Sequence, residues 1–95
     1  TGVDLSGKDL TGIILTKADL TGANLDGVDL TGKDLFKSIL TGADLSGKDL
    51  TGVILKKADL TNANLTGTNL TGADLTNANL TGTILNCIGH PVCIQ

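Results

Sequence analysis

Leucine stands at every fifth position of this chain from Leu5 to Leu85, seventeen times without a break. That regularity excludes most folds. In an α-helix, at about 100° per residue, successive leucines would advance by about 500° and spread around the cylinder instead of sharing a face. A flat strand alternates with a period of two, which a spacing of five does not satisfy. The thirteen Gly also oppose a helix, since each costs about 1 kcal/mol there relative to Ala. What remains is a coil in which each five-residue unit makes one short side and a turn, with Leu always directed inward.

The unit reads Ala/Val, Asp/Asn, Leu, Thr/Ser, Gly, and its Gly place counts the sides of the coil. Gly is replaced there by Lys17, Lys37, Lys57 and Asn77, twenty residues apart, with Asn62 the one exception to that spacing. Residues 6–25 and 46–65 also match closely at an offset of forty. Four units therefore make one turn, and equivalent sides stack. Gly at the corner suits a turn that needs positive φ. Asp or Asn before Leu suits a hydrogen bond to neighbouring backbone.

On these residues the chain resembles the pentapeptide-repeat family, whose consensus is A(D/N)LXX, over residues 1–85. The resemblance implies an all-β fold, a right-handed quadrilateral parallel β-helix solenoid. Leu and the residue two before it would point inward and the other three positions outward. Seventeen units then make about four coils, a rod on the order of 20 Å tall at the strand spacing of about 4.8 Å. Small residues such as Ala23, Ala43, Ala58 and Ala63 fit the inward place beside Leu. Lys8, Lys33 and Lys48 fall at that same place, where a lone ammonium is costly. The expectation is a stem that runs out between coils with its head in water, the alternative being a buried functional lysine.

Composition narrows the function. Ten Asp against seven Lys, with no Glu and no Arg, make one small acidic domain of net charge −3. No apolar run is long enough to cross a membrane as a helix. On the outer surface, Thr1, Thr21, Thr41, Thr61 and Thr81 form one ladder and Thr11, Thr31, Thr51 and Thr71 another. Lys17, Lys37 and Lys57 form a basic column, either screened by Asp19 and Asp59 or used. Phe36, the single aromatic residue, is expected exposed on the same side, which makes Phe36 and the three lysines a candidate partner surface. Ile14 and Ile54 are expected to stack in one outward column, with Ile39 and Ile84 elsewhere, as a modest apolar patch.

Residues 86–95 abandon the repeat and read as a cap over the last coil, with Ile88, Val92 and Ile94 lying on the final leucine layer. Cys87 and Cys93 are six apart with Gly89 and Pro91 between them, which allows a short disulfide loop. Such a bridge points to an oxidising compartment: periplasm, thylakoid lumen or secretion. Cys87, His90 and Cys93 supply three metal ligands, and the chain has no fourth Cys or His for a structural zinc site. A leucine-filled rod offers no pocket for a Cys–His nucleophile, so no catalysis, metal or cofactor is expected. Thr1 already begins a repeat and no initiator Met precedes it. The expectation is a fragment, a processed product, or one half of an end-to-end stack in which the open first coil pairs with another copy.

Three function classes follow. The first is a non-enzymatic scaffold or protein-binding module, since the surfaces are regular and no reaction centre is visible. The second comes from the resemblance: some members mimic duplex DNA and bind gyrase, conferring quinolone resistance. Against it, the charge is only −3 and residues 60–95 hold a single acidic side chain, Asp74. No direct nucleic-acid binding is expected. The third is ice binding through the flat threonine ladders. The resemblance also points to cyanobacteria and the plant thylakoid lumen as sources.

Overall fold

The computed structural model describes residues 4–7, 9–10 and 14–93; Lys8, Thr1, Thr11 and Ile94 lie outside the described residues. The chain is a coil whose turns are joined by isolated parallel bridges between residues twenty apart, among them Asp19↔Ile39, Ile39↔Asp59 and Asp59↔Asn79. Four five-residue units thus separate equivalent positions. We number four rows of stacked units: row one holds 21–25, 41–45 and 61–65; row two 26–30, 46–50 and 66–70; row three 31–35, 51–55 and 71–75; row four 16–20, 36–40, 56–60 and 76–80. Residues 4–5 and 81–85 continue row one, 6–7 and 9–10 row two and 14–15 row three.

Most units satisfy their backbone N–H groups in the same way, as residues 57–61 illustrate; an exception among the described residues is 26–30, which makes no backbone hydrogen bond to 46–50. Lys57 and Leu60 donate to the carbonyls of Thr76 and Asn79 in the next coil, at 2.9 and 2.8 Å, and Asp59 donates to Ser38 in the preceding one at 2.9 Å. Ala58 donates back to Leu55 at 3.0 Å, closing a turn, and Thr61 donates to the Asp59 carboxylate at 3.0 Å. The coil therefore needs no long strands to pair its buried backbone. The turn requires positive φ at its third residue, as type II turns do. Gly takes that place in most units, while Lys17, Lys37, Lys57, Asn62 and Asn77 hold φ between 58 and 61°.

The leucines fill the axis. Leu25 through Leu70 are each no more than 1% exposed, and Ala43, Val53, Ala58 and Ala63 pack beside them. Burying a Leu contributes roughly 1.5–3 kcal/mol, so this column supplies most of the drive to coil. Three polar residues at the inward place find the same kind of acceptor, the leucine carbonyl twenty-three residues earlier. Thr68 Oγ1 donates to Leu45 at 2.8 Å, Thr83 Oγ1 to Leu60 at 2.6 Å and Lys33 Nζ to Leu10 at 2.8 Å. Lys33 thus ends on a corner carbonyl, not simply in water as expected. Lys48 is half-buried.

At the C-terminal end, Asn86 and Ile88 accept from the Gly67 and Leu70 N–H groups and Ile88 pairs with Asn69, so residues 86–88 continue row two with one residue fewer than the repeat. The chain then turns at Gly89, where a Cβ would lie 2.7 Å from the Thr71 nitrogen and 3.0 Å from its Cα, so only Gly fits this approach. Cys87 and Cys93 are joined in a disulfide with Cα atoms 5.0 Å apart, and both sulfurs' residues are buried in the leucine core. Ile88 does not lie over the last layer as expected. It takes the outward bridging position and is 55% exposed, leaving Val92 and the two cysteines against the core. Leu80 and Leu85 remain only partly covered.

Candidate functional site

Row four carries the basic column. Lys17, Lys37 and Lys57 stand one coil apart at the left-handed corner, with φ of 61, 58 and 60°. An L-residue there costs roughly 1–2 kcal/mol relative to the right-handed region, and Lys has no local hydrogen bond to offset it as Asn does. Three like charges stacked in line add repulsion. Gly, which relieves both costs, stands at this corner in most other units. Strain kept at three successive coils of a single row is the feature that marks this face.

Phe36 adjoins that column but is not the freely exposed aromatic that the sequence leads one to expect. It is half-buried, and the Lys37 ammonium lies 5.4 Å from its ring centroid, a cation–π contact. Its neighbour Ile39 is 37% exposed on the same row. The carboxylate of Asp59 is not simply a counter-charge to the column, because Thr61 donates to it through both its backbone N–H and its hydroxyl. The expected isoleucine stack is absent. Ile14 and Ile54 share a column two coils apart, and Asp34 bridges to Ile54 in the coil between them.

Row two is the electrostatic counterpart, with Asp9, Asp29 and Asp49 one coil apart on its outer side and Asp26 beside them. Asp29 is held below the ordinary carboxylate range first by the Thr31 backbone N–H and then by its hydroxyl. Asp49 is lowered first by the Thr51 hydroxyl and then by its N–H, with Asp29 opposing. Asp44, Asp59 and Asp74 are lowered in the same way by Ser46, Thr61 and Thr76.

The threonine ladders do not present a face of free hydroxyls. Thr21, Thr61, Thr71 and Thr81 donate Oγ1 to the Asx side chain two residues earlier at 2.5 to 2.7 Å, and Thr51 does so to Asp49. After the last repeat, the cysteine sulfurs are consumed by the disulfide and His90 Nδ1 accepts from the Val92 N–H at 3.1 Å. Among the described residues no three His, Cys, Asp or Glu side chains converge on a point that could hold a metal ion, and no helix is long and apolar enough to cross a membrane.

Lys17, Lys37, Lys57 and Phe36 thus share row four, and no expectation from the sequence covered the inward hydroxyls of Thr68 and Thr83. Their presence at a place otherwise taken by Ala or Val was the available signal.

Against family models, the chain matches pentapeptide repeats in 8 copies, over residues 1–32, 34–67 and 49–86. No curated protein sequence matches it. Among solved structures, it is similar to a pentapeptide repeat protein from the Arabidopsis thaliana thylakoid lumen, at 37% identity and a TM-score of 0.66, over 100% of this chain and 70% of that one. It is also similar to a pentapeptide repeat protein from Nostoc Pcc 7120, at 36% identity and a TM-score of 0.53, over 88% of this chain and 68% of that one.

Proposed function

The chain belongs to the pentapeptide-repeat family, and from that premise we propose that it is a non-enzymatic scaffold that binds a protein partner through row four. Membership carries the right-handed β-helix solenoid, and the twenty-residue bridge register agrees with it. In this reading the cross-section is four-sided, residues 1–85 form about four coils at the spacing of about 4.8 Å, and residues 86–95 cap them. One observation carries the partner surface: lysines at 17, 37 and 57 keep a strained backbone conformation that Gly would relieve. Backbone strain retained at successive positions of one face favours a use for the side chains. Phe36 and Ile39 add apolar area to the same row.

A photoreactive phenylalanine analogue at position 36, compared with the same group at position 84, which is exposed on row one, tests this. In cells of the source organism, the expected result is a defined adduct from position 36 alone, lost when Lys17, Lys37 and Lys57 become Asn. Equal adducts from both positions, or none from position 36, would overturn it.

The disulfide and the lumenal neighbour both support an oxidising compartment. A gyrase-binding DNA mimic receives no support, because row four is basic and the carboxylates thin out toward the C-terminus. Ice binding is disfavoured by hydroxyls already donated to Asx side chains. End-to-end pairing through the first coil falls on Thr1 to Val3, outside the described residues.

A further inference from the structure

We infer that the partner that fits row four is a second copy of this chain, docked side by side through its row-two aspartate column. This rests on the reading of row four as an interaction face and names what that face takes. Lys17, Lys37 and Lys57 recur once per coil, and so do Asp9, Asp29 and Asp49. The lysine column lies beside the bridged ladder Asp19↔Ile39↔Asp59, and the aspartate column joins a bridged register at Asp49↔Asn69, its three members sharing the same twenty-residue spacing along the chain. Two copies laid parallel bring all three pairs into reach together, whereas an arbitrary acidic surface would match one of them.

Charge points the same way. Row four carries Lys17, Lys37, Lys56 and Lys57 against Asp19 and Asp59 on its outward positions. Row two carries Asp9, Asp26, Asp29 and Asp49 outward, and its lysines, Lys8 and Lys48, occupy the inward place of the unit. Row four is thus the one basic row. Although row one, with Asp4 and Asp44, has the same net charge as row two, only row two carries a carboxylate at the same outward place in three successive coils. As the fourth and second units of each coil, rows four and two are never adjacent. Thr31 and Thr51 fix the orientation of Asp29 and Asp49 through their N–H groups, at 2.9 and 3.0 Å, so those carboxylates are held in place before a partner arrives. Pre-organisation of this kind lowers the ordering cost of association.

The contact is heterologous, so each copy in a pair still offers one unused face, and the assembly extends instead of closing. It is also weak. With extents of 31 × 21 × 20 Å, one flank of the molecule limits the buried area to roughly 1,200 Å² in total, the low end for specific interfaces. Surface charge pairs of this sort are screened by salt.

Sedimentation velocity tests the inference with variants chosen from residues the fold already uses. Asn stands at the left-handed corner at positions 62 and 77, and before Leu at 24, 64, 69 and 79. Lys17→Asn/Lys37→Asn/Lys57→Asn and Asp9→Asn/Asp29→Asn/Asp49→Asn therefore neutralise one face each while keeping the local geometry. Wild type is expected to sediment faster with rising concentration without a plateau at the dimer, and to lose about tenfold or more in apparent affinity between about 20 and about 500 mM salt. Each neutral variant alone is expected to stay monomeric, and an equal mixture of the two to form a complex that stops at one copy of each. Monomeric wild type at low salt, association of either variant alone, or a mixture that stays monomeric would each overturn the inference. If wild type is monomeric while position 36 still captures another protein, self-docking fails and the interaction reading of row four stands.

Discussion

Ser38 is the one buried side chain among the described residues whose polar atom has no partner. It is 0% exposed and occupies the inward place of row four, in a column otherwise built from Ala18, Ala58 and Ala78. Its backbone is fully used: the N–H donates to Leu35 at 2.9 Å and the carbonyl accepts from Asp59 at 2.9 Å. The hydroxyl is the fault. Thr68 and Thr83 at the equivalent place of other rows reach the leucine carbonyl twenty-three residues earlier, whereas Ser38 leaves Leu15, its counterpart, to the Ala18 N–H at 3.1 Å. A buried unsatisfied hydroxyl costs roughly 1–3 kcal/mol of desolvation. Removing one oxygen forfeits a few dispersion contacts and opens a void far smaller than a water, which offsets part of that. Ser38→Ala is therefore expected to stabilise the protein by about 1 kcal/mol, or roughly 4–8 °C in melting temperature for a domain of this size. Urea denaturation followed by circular dichroism measures it, read as a higher midpoint at unchanged slope. An unchanged or lower midpoint would refute the reasoning, since it would mean that the hydroxyl has a partner or that its packing outweighs its desolvation.

Three further outcomes follow from the same geometry. Lys57→Gly removes an L-residue from φ of 60°; relief of about 1–2 kcal/mol, less about 0.5–1 for the added freedom of Gly in the unfolded chain, leaves a stabilisation of roughly 0.5–1 kcal/mol in the same denaturation experiment. The folded pKa values of Asp29, Asp44, Asp49, Asp59 and Asp74 lie below 3.8 because Ser and Thr donors favour the charged form, so the stability they contribute is present above that value and lost as pH falls through the folded values. Melting temperature should hold from neutral pH down to about pH 5 and decline below about pH 4; Asp49→Asn should keep the turn and flatten that acid limb, and Asp49→Ala should lower stability at neutral pH as well. Reduction of Cys87–Cys93, a bridge of sequence separation 6, should lower stability by roughly 2 kcal/mol on loop-closure grounds, with the earliest loss of amide protection at Leu70, whose N–H donates to the Ile88 carbonyl at 2.8 Å.

The backbone course was legible in the sequence because it is a property of period. The spacing of Leu located the axis, and the twenty-residue spacing of Lys17, Lys37 and Lys57 located the register, since a residue that replaces Gly at a left-handed corner reports where that corner recurs. What a period does not carry is the partner of a side chain that reaches across coils. Whether an inward hydroxyl is satisfied depends on a carbonyl twenty-three residues away, so Thr68 and Ser38 look alike in sequence and differ by a hydrogen bond in the fold. Phe36 looks exposed by position, yet its own neighbour Lys37 turns over the ring, an outcome set by rotamers and not by register. The pairing of Ile14 with Ile54 failed for a simpler reason: same-column residues touch only in successive coils, and Asp34 holds the intervening place. Function on a solenoid has the same character as these misses. It lies in which outward columns are adjacent and in what their side chains leave uncommitted, and the lysine column stands out because the backbone beneath it is strained at every coil where Lys occurs.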